Sequence, residues 1–184
     1  YRLGRMLFRG KKLVEAKVEL ENALKLKNDN YAAQFYLGKI LKENHDYVGA
    51  LLAFEKAQRE PDFKIKSLIE RGSSYINMAN YEKAATELER AIKLSQDDSS
   101  PEVLFARYFL AHCHEKARDL DLAIEQWEKI YSKKPTFKDV AEKLSQYQDL
   151  RADDKMKSSC QNKIKLYNLC AQHTSSFKFY KKGA

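Results

Sequence analysis

Three glycines, Gly4, Gly38 and Gly72, lie 34 residues apart, and each stands in the same company. Around the second are Leu37, Leu41, Tyr47, Ala50, Phe54 and Ala57. The first keeps Leu3, Leu7, Leu13, Ala16, Leu20 and Ala23 at the same offsets, and the third keeps Tyr75, Tyr81, Ala84, Leu88 and Ala91. Self-similarity at a fixed period of this length marks a stacked repeat, because one unit cannot bury its apolar face until a neighbour covers it.

Within each unit the apolar residues recur at helical spacing and the small ones stand where two helices would have to approach closely. Only 6 glycines and 3 prolines occur in 184 residues, which favours long helices with brief connections over a many-turned β protein. The pattern predicts two helices per unit, with units at about 1–30, 31–64, 65–98 and 104–137. The fourth arrives late: Gly72 to Ala111 is 39 residues, so an insertion falls near Gln96-Asp97-Asp98-Ser99-Ser100. Ser100-Pro101-Glu102 then offers an N-cap, a first-turn proline and an early acid. Leu110, Ala111, Leu120, Ala123, Trp127 and Pro135 resume the series. Asp46, Asn80 and Asp119 each precede a large apolar residue and are expected to cap second helices, whereas Lys12 lacks a capping side chain.

After the repeats, Val140, Leu144 and Tyr147 form one apolar stripe on an otherwise polar segment, the asymmetry expected of a capping helix over 138–157. Residues 158–184 read as a basic tail, partly helical or without fixed structure.

The large residue, Leu-Gly, Tyr, Ala, Phe and Pro series resembles the tetratricopeptide repeat (TPR) family from Tyr1 to about Phe137. Departures are Gln34, Leu68 and Arg107 at the aromatic position before Leu-Gly, Arg71 beside Gly72, and His114 in a tyrosine place. The resemblance implies an all-α fold, a right-handed α-solenoid of antiparallel helix pairs forming the TPR superhelix. It also implies a non-enzymatic scaffold for protein–protein interaction.

No phosphate-cradling glycine loop, nucleophile elbow or zinc-type cysteine pairing is present, so neither catalysis nor a cofactor is expected. His112 and His114 flank Cys113 about 200° apart around a helix and cannot grip one metal ion from a single face. On the helix expected from Tyr31 to Glu43, Leu37, Gly38 and Leu41 form the packing face. Phe35, Lys39 and Lys42 fall on another, with Tyr36 beside them. In the TPR family that other face lines a concave groove that holds peptides. The resemblance therefore implies peptide-binding roles for Arg5, Phe35, Tyr36, Lys39, Lys42, Phe105, Tyr108, Phe109 and His112; Tyr1, Phe8, Lys66, Ile69 and Ser73 occupy equivalent positions. A groove with aromatic ends and basic first repeats suits a partner with bulky apolar and acidic residues. The lysine, asparagine and arginine clamp by which some TPR domains hold a C-terminal carboxylate has no match: the asparagines are missing, and Glu70 would repel the ligand.

The formal charge of +8 is uneven, at +4 over 1–64, −1 over 65–137 and +5 over 138–184, which is no tracked groove for nucleic acid. No run approaches the 18 or so apolar residues of a membrane span. Cys113, Cys160 and Cys170, an odd and sparse set, point to a reducing compartment and so to a cytoplasmic location, or the cytoplasmic side of a membrane assembly. Because the chain opens partway through a repeat helix, it is read as a piece of something longer. Two further readings follow: a docking arm of a protein whose enzymatic domain lies elsewhere, and self-association through a repeat end face exposing Leu3, Leu7 and Phe8.

Overall fold

In the computed structural model, residues 1–147, with 149 and 161, are described. They open with eight helices: α1 (Arg2–Arg9), α2 (Leu13–Leu26), α3 (Tyr31–Glu43), α4 (Tyr47–Ala57), α5 (Pro61–Asn77), α6 (Tyr81–Leu94), α7 (Pro101–Ala117) and α8 (Leu120–Lys133). Residues Tyr1–Val140 form one compact unit and Ala141–Ala184 another.

The first unit is an all-α solenoid. Each odd helix packs on the even helix that follows, and α1, α3, α5 and α7 also touch one another in succession; the even helices make no such contacts among themselves. Helices that meet on one side and splay on the other make a curved stack, so the odd helices line its inner face. The glycines decide how closely each pair packs. A Cβ on Gly4 would lie 2.7 Å from Leu20, one on Gly38 2.7 Å from Phe54, and one on Gly72 2.7 Å from Leu88. Each of these large residues stands sixteen positions on from its glycine and is fully buried.

The turns inside the pairs also repeat. Lys11, His45, Ala79 and Arg118 all adopt left-handed backbone, with φ between 56° and 66°. The next residue's N–H reaches back to the sixth-last carbonyl: Lys12 to Leu7, Asp46 to Leu41, Asn80 to Tyr75 and Asp119 to His114. This closes the helix ends in the way a C-terminal glycine usually does, but with non-glycine residues. Asp46 and Asn80 then cap α4 and α6 by accepting from the Gly49 and Lys83 amides, and Asn30 and Ser100 cap α3 and α7. Asp119, expected to cap α8, makes no such bond.

Three buried clusters bind successive helices: Ala16, Leu20, Ala33 and Ile40; Phe35, Ala50, Phe54 and Ala57; and the set running from Leu68 through Leu88 to Leu110 and Cys113. Of the residues read as filling the first seam, Leu7 packs against the first cluster and Leu3 is 54% exposed; of those read as an open end face, Leu3 alone is exposed, because Phe8 also packs against that cluster.

Lys138, the first residue of the expected capping helix, has a left-handed φ of 48° that helical backbone cannot accommodate, and helical backbone resumes at Val140. In the second unit residues 141–147 are helical. Residues 148 and 150–157 of the expected helix, and the tail 158–184 apart from residue 161, lie outside the described residues.

Candidate functional site

The inner faces of α3, α5 and α7 enclose an open cavity of about 480 Å³. Phe35, Lys39 and Lys42 come from α3, Lys66, Ile69, Glu70 and Ser73 from α5, and Pro101, Glu102, Phe105 and Phe109 from α7. Steps of three and four residues along each helix are what place them on one side.

Five of the nine expected site residues thus meet in one cavity, and their environments differ. Phe105 is 40% exposed and offers its ring to the groove. Phe35 is buried, held against Phe54, Phe63 and Tyr36 at centroid distances of 5.8, 5.2 and 5.6 Å, so only its edge reaches the wall. Phe109 is half-buried against the cluster around Leu110 and Cys113.

The charges are arranged differently from the sequence expectation. Lys39 Nζ lies 3.4 Å from Glu70 Oε1, and Lys42 pairs with the other oxygen of the same carboxylate while also donating to Ser73 Oγ at 3.4 Å. Lys39 also lies 5.5 Å above the Phe8 ring and 6.0 Å above that of Phe35. One acid is therefore shared by two cations inside the wall. Lys66 faces Glu102 at 3.9 Å. A cavity expected to be basic is close to charge-balanced, because Glu70 and Glu102 project from the same faces as the lysines.

The other four expected residues do not line the cavity. Arg5 packs over the Tyr1 ring at 5.8 Å. Tyr36 bridges Phe8 and Phe35, with ring centroids 5.8 and 5.6 Å away. His112 Nδ1 lies 3.4 Å from Glu115, with its ring edge-on to Tyr81. The Tyr108 hydroxyl donates to Asp139 Oδ1 at 2.8 Å; burial, then this carboxylate, hold its pKa up at about 12.

Sequence reasoning missed Lys138. Its ammonium lies 3.9 Å from the Tyr108 ring centroid, 4.9 Å from that of Phe105 and 5.4 Å from that of Phe109. Phe137, the residue before it, is buried edge-on against Phe105 at 5.2 Å. Lys138 falls after the last repeat position, so the periodicity carries no signal for it. Burial against the rings lowers its pKa, and the neighbouring Asp139 works in the opposite direction.

Cys113 is a buried thiol whose pKa burial pushes up to about 12, and it is poorly placed to act as a nucleophile. Among the described residues no cluster of three or more histidine, cysteine, aspartate or glutamate side chains is placed to hold a metal, and no helix is long and apolar enough to cross a membrane.

Residues 69–136 match the model of the tetratricopeptide repeat family. No curated protein matches the chain. Among solved structures, MamA aligns at 20% identity over 81% of this chain and 84% of its own, with a TM-score of 0.68. YrrB, described as a TPR protein with an unusual peptide-binding site, aligns at 22% identity over 76% and 69%, with a TM-score of 0.61. TPR-like repeats of a putative kinesin light chain from Podosopora anserina align at 19% identity over 71% and 70%, with a TM-score of 0.57. At these identities the likeness is one of fold.

Proposed function

We propose that this tetratricopeptide repeat protein, a protein-interaction scaffold by fold, holds an extended segment of a partner protein along the inner faces of α3, α5 and α7 as part of a larger assembly. The observation that carries the reading is the cavity itself: an open, largely apolar hollow in which an aromatic, Phe105, stays 40% exposed although one edge packs on Phe137. Exposed aromatics in a concave site are the residues that supply most binding energy when a partner covers them. The lysines around it are satisfied by Glu70 and Glu102, so an apolar anchor rather than net charge sets the affinity.

The anchor on the partner is a bulky apolar side chain lodged between Ile69 and Phe105. The flanking backbone runs over side chains that carry both signs of charge, which favours a segment of mixed composition. The reading is non-enzymatic: Glu70, Lys42 and Ser73 are bonded to one another in the wall and serve there to fix its shape.

The test is to pan a phage-displayed dodecapeptide library on the full 184-residue chain and measure the recovered peptides by fluorescence anisotropy. Phe105→Ala is expected to weaken them at least about tenfold, or about 1.4 kcal/mol, and to lower the melting temperature modestly through the lost contact with Phe137 while unfolding stays cooperative. Equal binding by wild type and Phe105→Ala would place any interaction outside the groove.

A further inference from the structure

We infer that Lys138 is the groove's carboxylate-reading residue: its ammonium, seated on Phe105, Tyr108 and Phe109, pairs with an aspartate or glutamate beside the partner's apolar anchor. This rests on the groove reading and names the polar half of the ligand.

The three lysines that line the cavity already have acidic partners: Lys39 and Lys42 share Glu70, and Lys66 faces Glu102. Lys138 has ring faces instead. The acid beside it, Asp139, has one oxygen taken by the Tyr108 hydroxyl. A cation stacked on rings gives up part of its hydration yet keeps N–H donors free on the side away from them, so an incoming carboxylate meets a partly desolvated, pre-placed charge. Pre-placement is built into the backbone. The left-handed conformation at Lys138 is unfavourable for a lysine, and it is held between buried Phe137 and hydrogen-bonded Asp139.

The same rings could in principle cradle a cation from the partner. The geometry disfavours that, because the ring faces are already covered by an ammonium that a second cation would have to expel against like charge. A carboxylate needs no displacement. Phe105 and Phe109 both line the cavity and touch Lys138. At about 3.3 Å per residue of extended chain, the acid therefore lies one or two residues from the anchor. It also lies toward the α7 side of the cavity, where Phe105 and Phe109 stand.

The test uses peptides recovered from the dodecapeptide library whose binding requires Phe105. Those peptides are expected to carry an aspartate or glutamate within two residues of a bulky apolar side chain. Lys138→Gln should weaken them about tenfold, whereas Lys138→Arg should hold affinity within about threefold. Changing the peptide's acid to its amide should remove the difference between wild type and Lys138→Gln, and the Lys138-dependent part should fade as salt is raised. Lys39→Gln should leave the acid-to-amide effect intact. Peptides without an acid near the anchor, or a Lys138→Gln loss equal for acid and amide peptides, would overturn the inference and leave the groove standing. A library yielding no Phe105-dependent peptide would remove the groove reading and this inference with it.

Discussion

Replacing Gly38 by alanine adds a single methyl group at the most crowded point of the second helix pair. That methyl would lie 2.7, 2.9 and 3.0 Å from three ring carbons of Phe54, where carbon atoms rest comfortably at about 3.5–4.0 Å. The ring has to retreat by nearly 1 Å, on the order of the shortfall against that contact distance, and it has nowhere to go. Phe54 is fully buried among Ala50, Ala57 and Phe35, and Phe35 leans in turn on Phe63. Overpacking of this kind costs about 1–3 kcal/mol. Exchanging glycine for alanine within a helix returns up to about 1 kcal/mol, so even with the full return the central expectation is a loss of about 1 kcal/mol. In a chain of this size that corresponds to a fall in Tm of about 2–4 °C. Gly10→Ala is the control, because φ there is −78° and an added Cβ meets nothing closer than 3.5 Å; it should stay within about 0.5 kcal/mol of wild type. Urea denaturation followed by far-UV circular dichroism gives the energies, and hydrogen exchange should show the loss concentrated in α3 and α4, as nearest-neighbour coupling in a repeat array requires. A Gly38→Ala protein as stable as wild type would refute the argument that the 34-residue glycines exist to let these helices close.

Two other perturbations test the polar structure. Arg71 pairs with Glu87 at 3.1 Å, the side chains being 13% and 10% exposed, so Arg71→Leu leaves a largely buried carboxylate with only exposed Arg90 for support. The single change should cost about 2–3 kcal/mol and the double change Arg71→Leu with Glu87→Leu less than the single, read from urea midpoints; a double variant worse than the single would contradict this. Tyr108, with its folded pKa raised to about 12 against 10.0 unfolded, contributes stability that is complete below pH 10 and lost as pH rises toward 12, since the unfolded chain gives up that proton first. Tyr108→Phe should therefore show a shallower alkaline loss of stability than wild type, and parallel curves would count against the Asp139 bond.

The repeat period made the fold legible because close packing requires particular residue sizes at fixed places: Gly38 and Phe54, Gly72 and Leu88 can be paired from spacing alone. The helix that presents Lys39 and Lys42 was legible for the same reason. Their neutralisation was not, since Glu70 lies 28 residues beyond Lys42 and the pairing exists only once α3 and α5 lie side by side. The left-handed turns escaped notice because glycine is the usual signal for them, and here lysine, histidine, alanine and arginine take that backbone. Helical phase puts Phe35 at the groove wall but carries no signal for its burial there, which follows from Phe54 and Phe63 drawing the ring into the seam.

Two irregularities that look unrelated along the chain prove to be one contact. Arg107 stands where the repeat pattern wants an aromatic, and the insertion at residues 96–100 breaks the 34-residue period just before it. In the fold Arg107 is 9% exposed and donates to Gln126 on α8 at 3.0 Å and to Asp98 in the insertion at 2.9 Å. A buried guanidinium without partners is costly, so the arginine is tolerable only because the longer loop brings a carboxylate over it. Arg71 follows the same logic with Glu87, sixteen residues on, the spacing that elsewhere joins a seam glycine to its large apolar partner. At these two places the stack replaces apolar packing between paired helices with directional polar bonds, which keep the pair in register. The departures thus lie within the seams, and the inner face that carries Phe105 and Lys138 is presented on an uninterrupted solenoid.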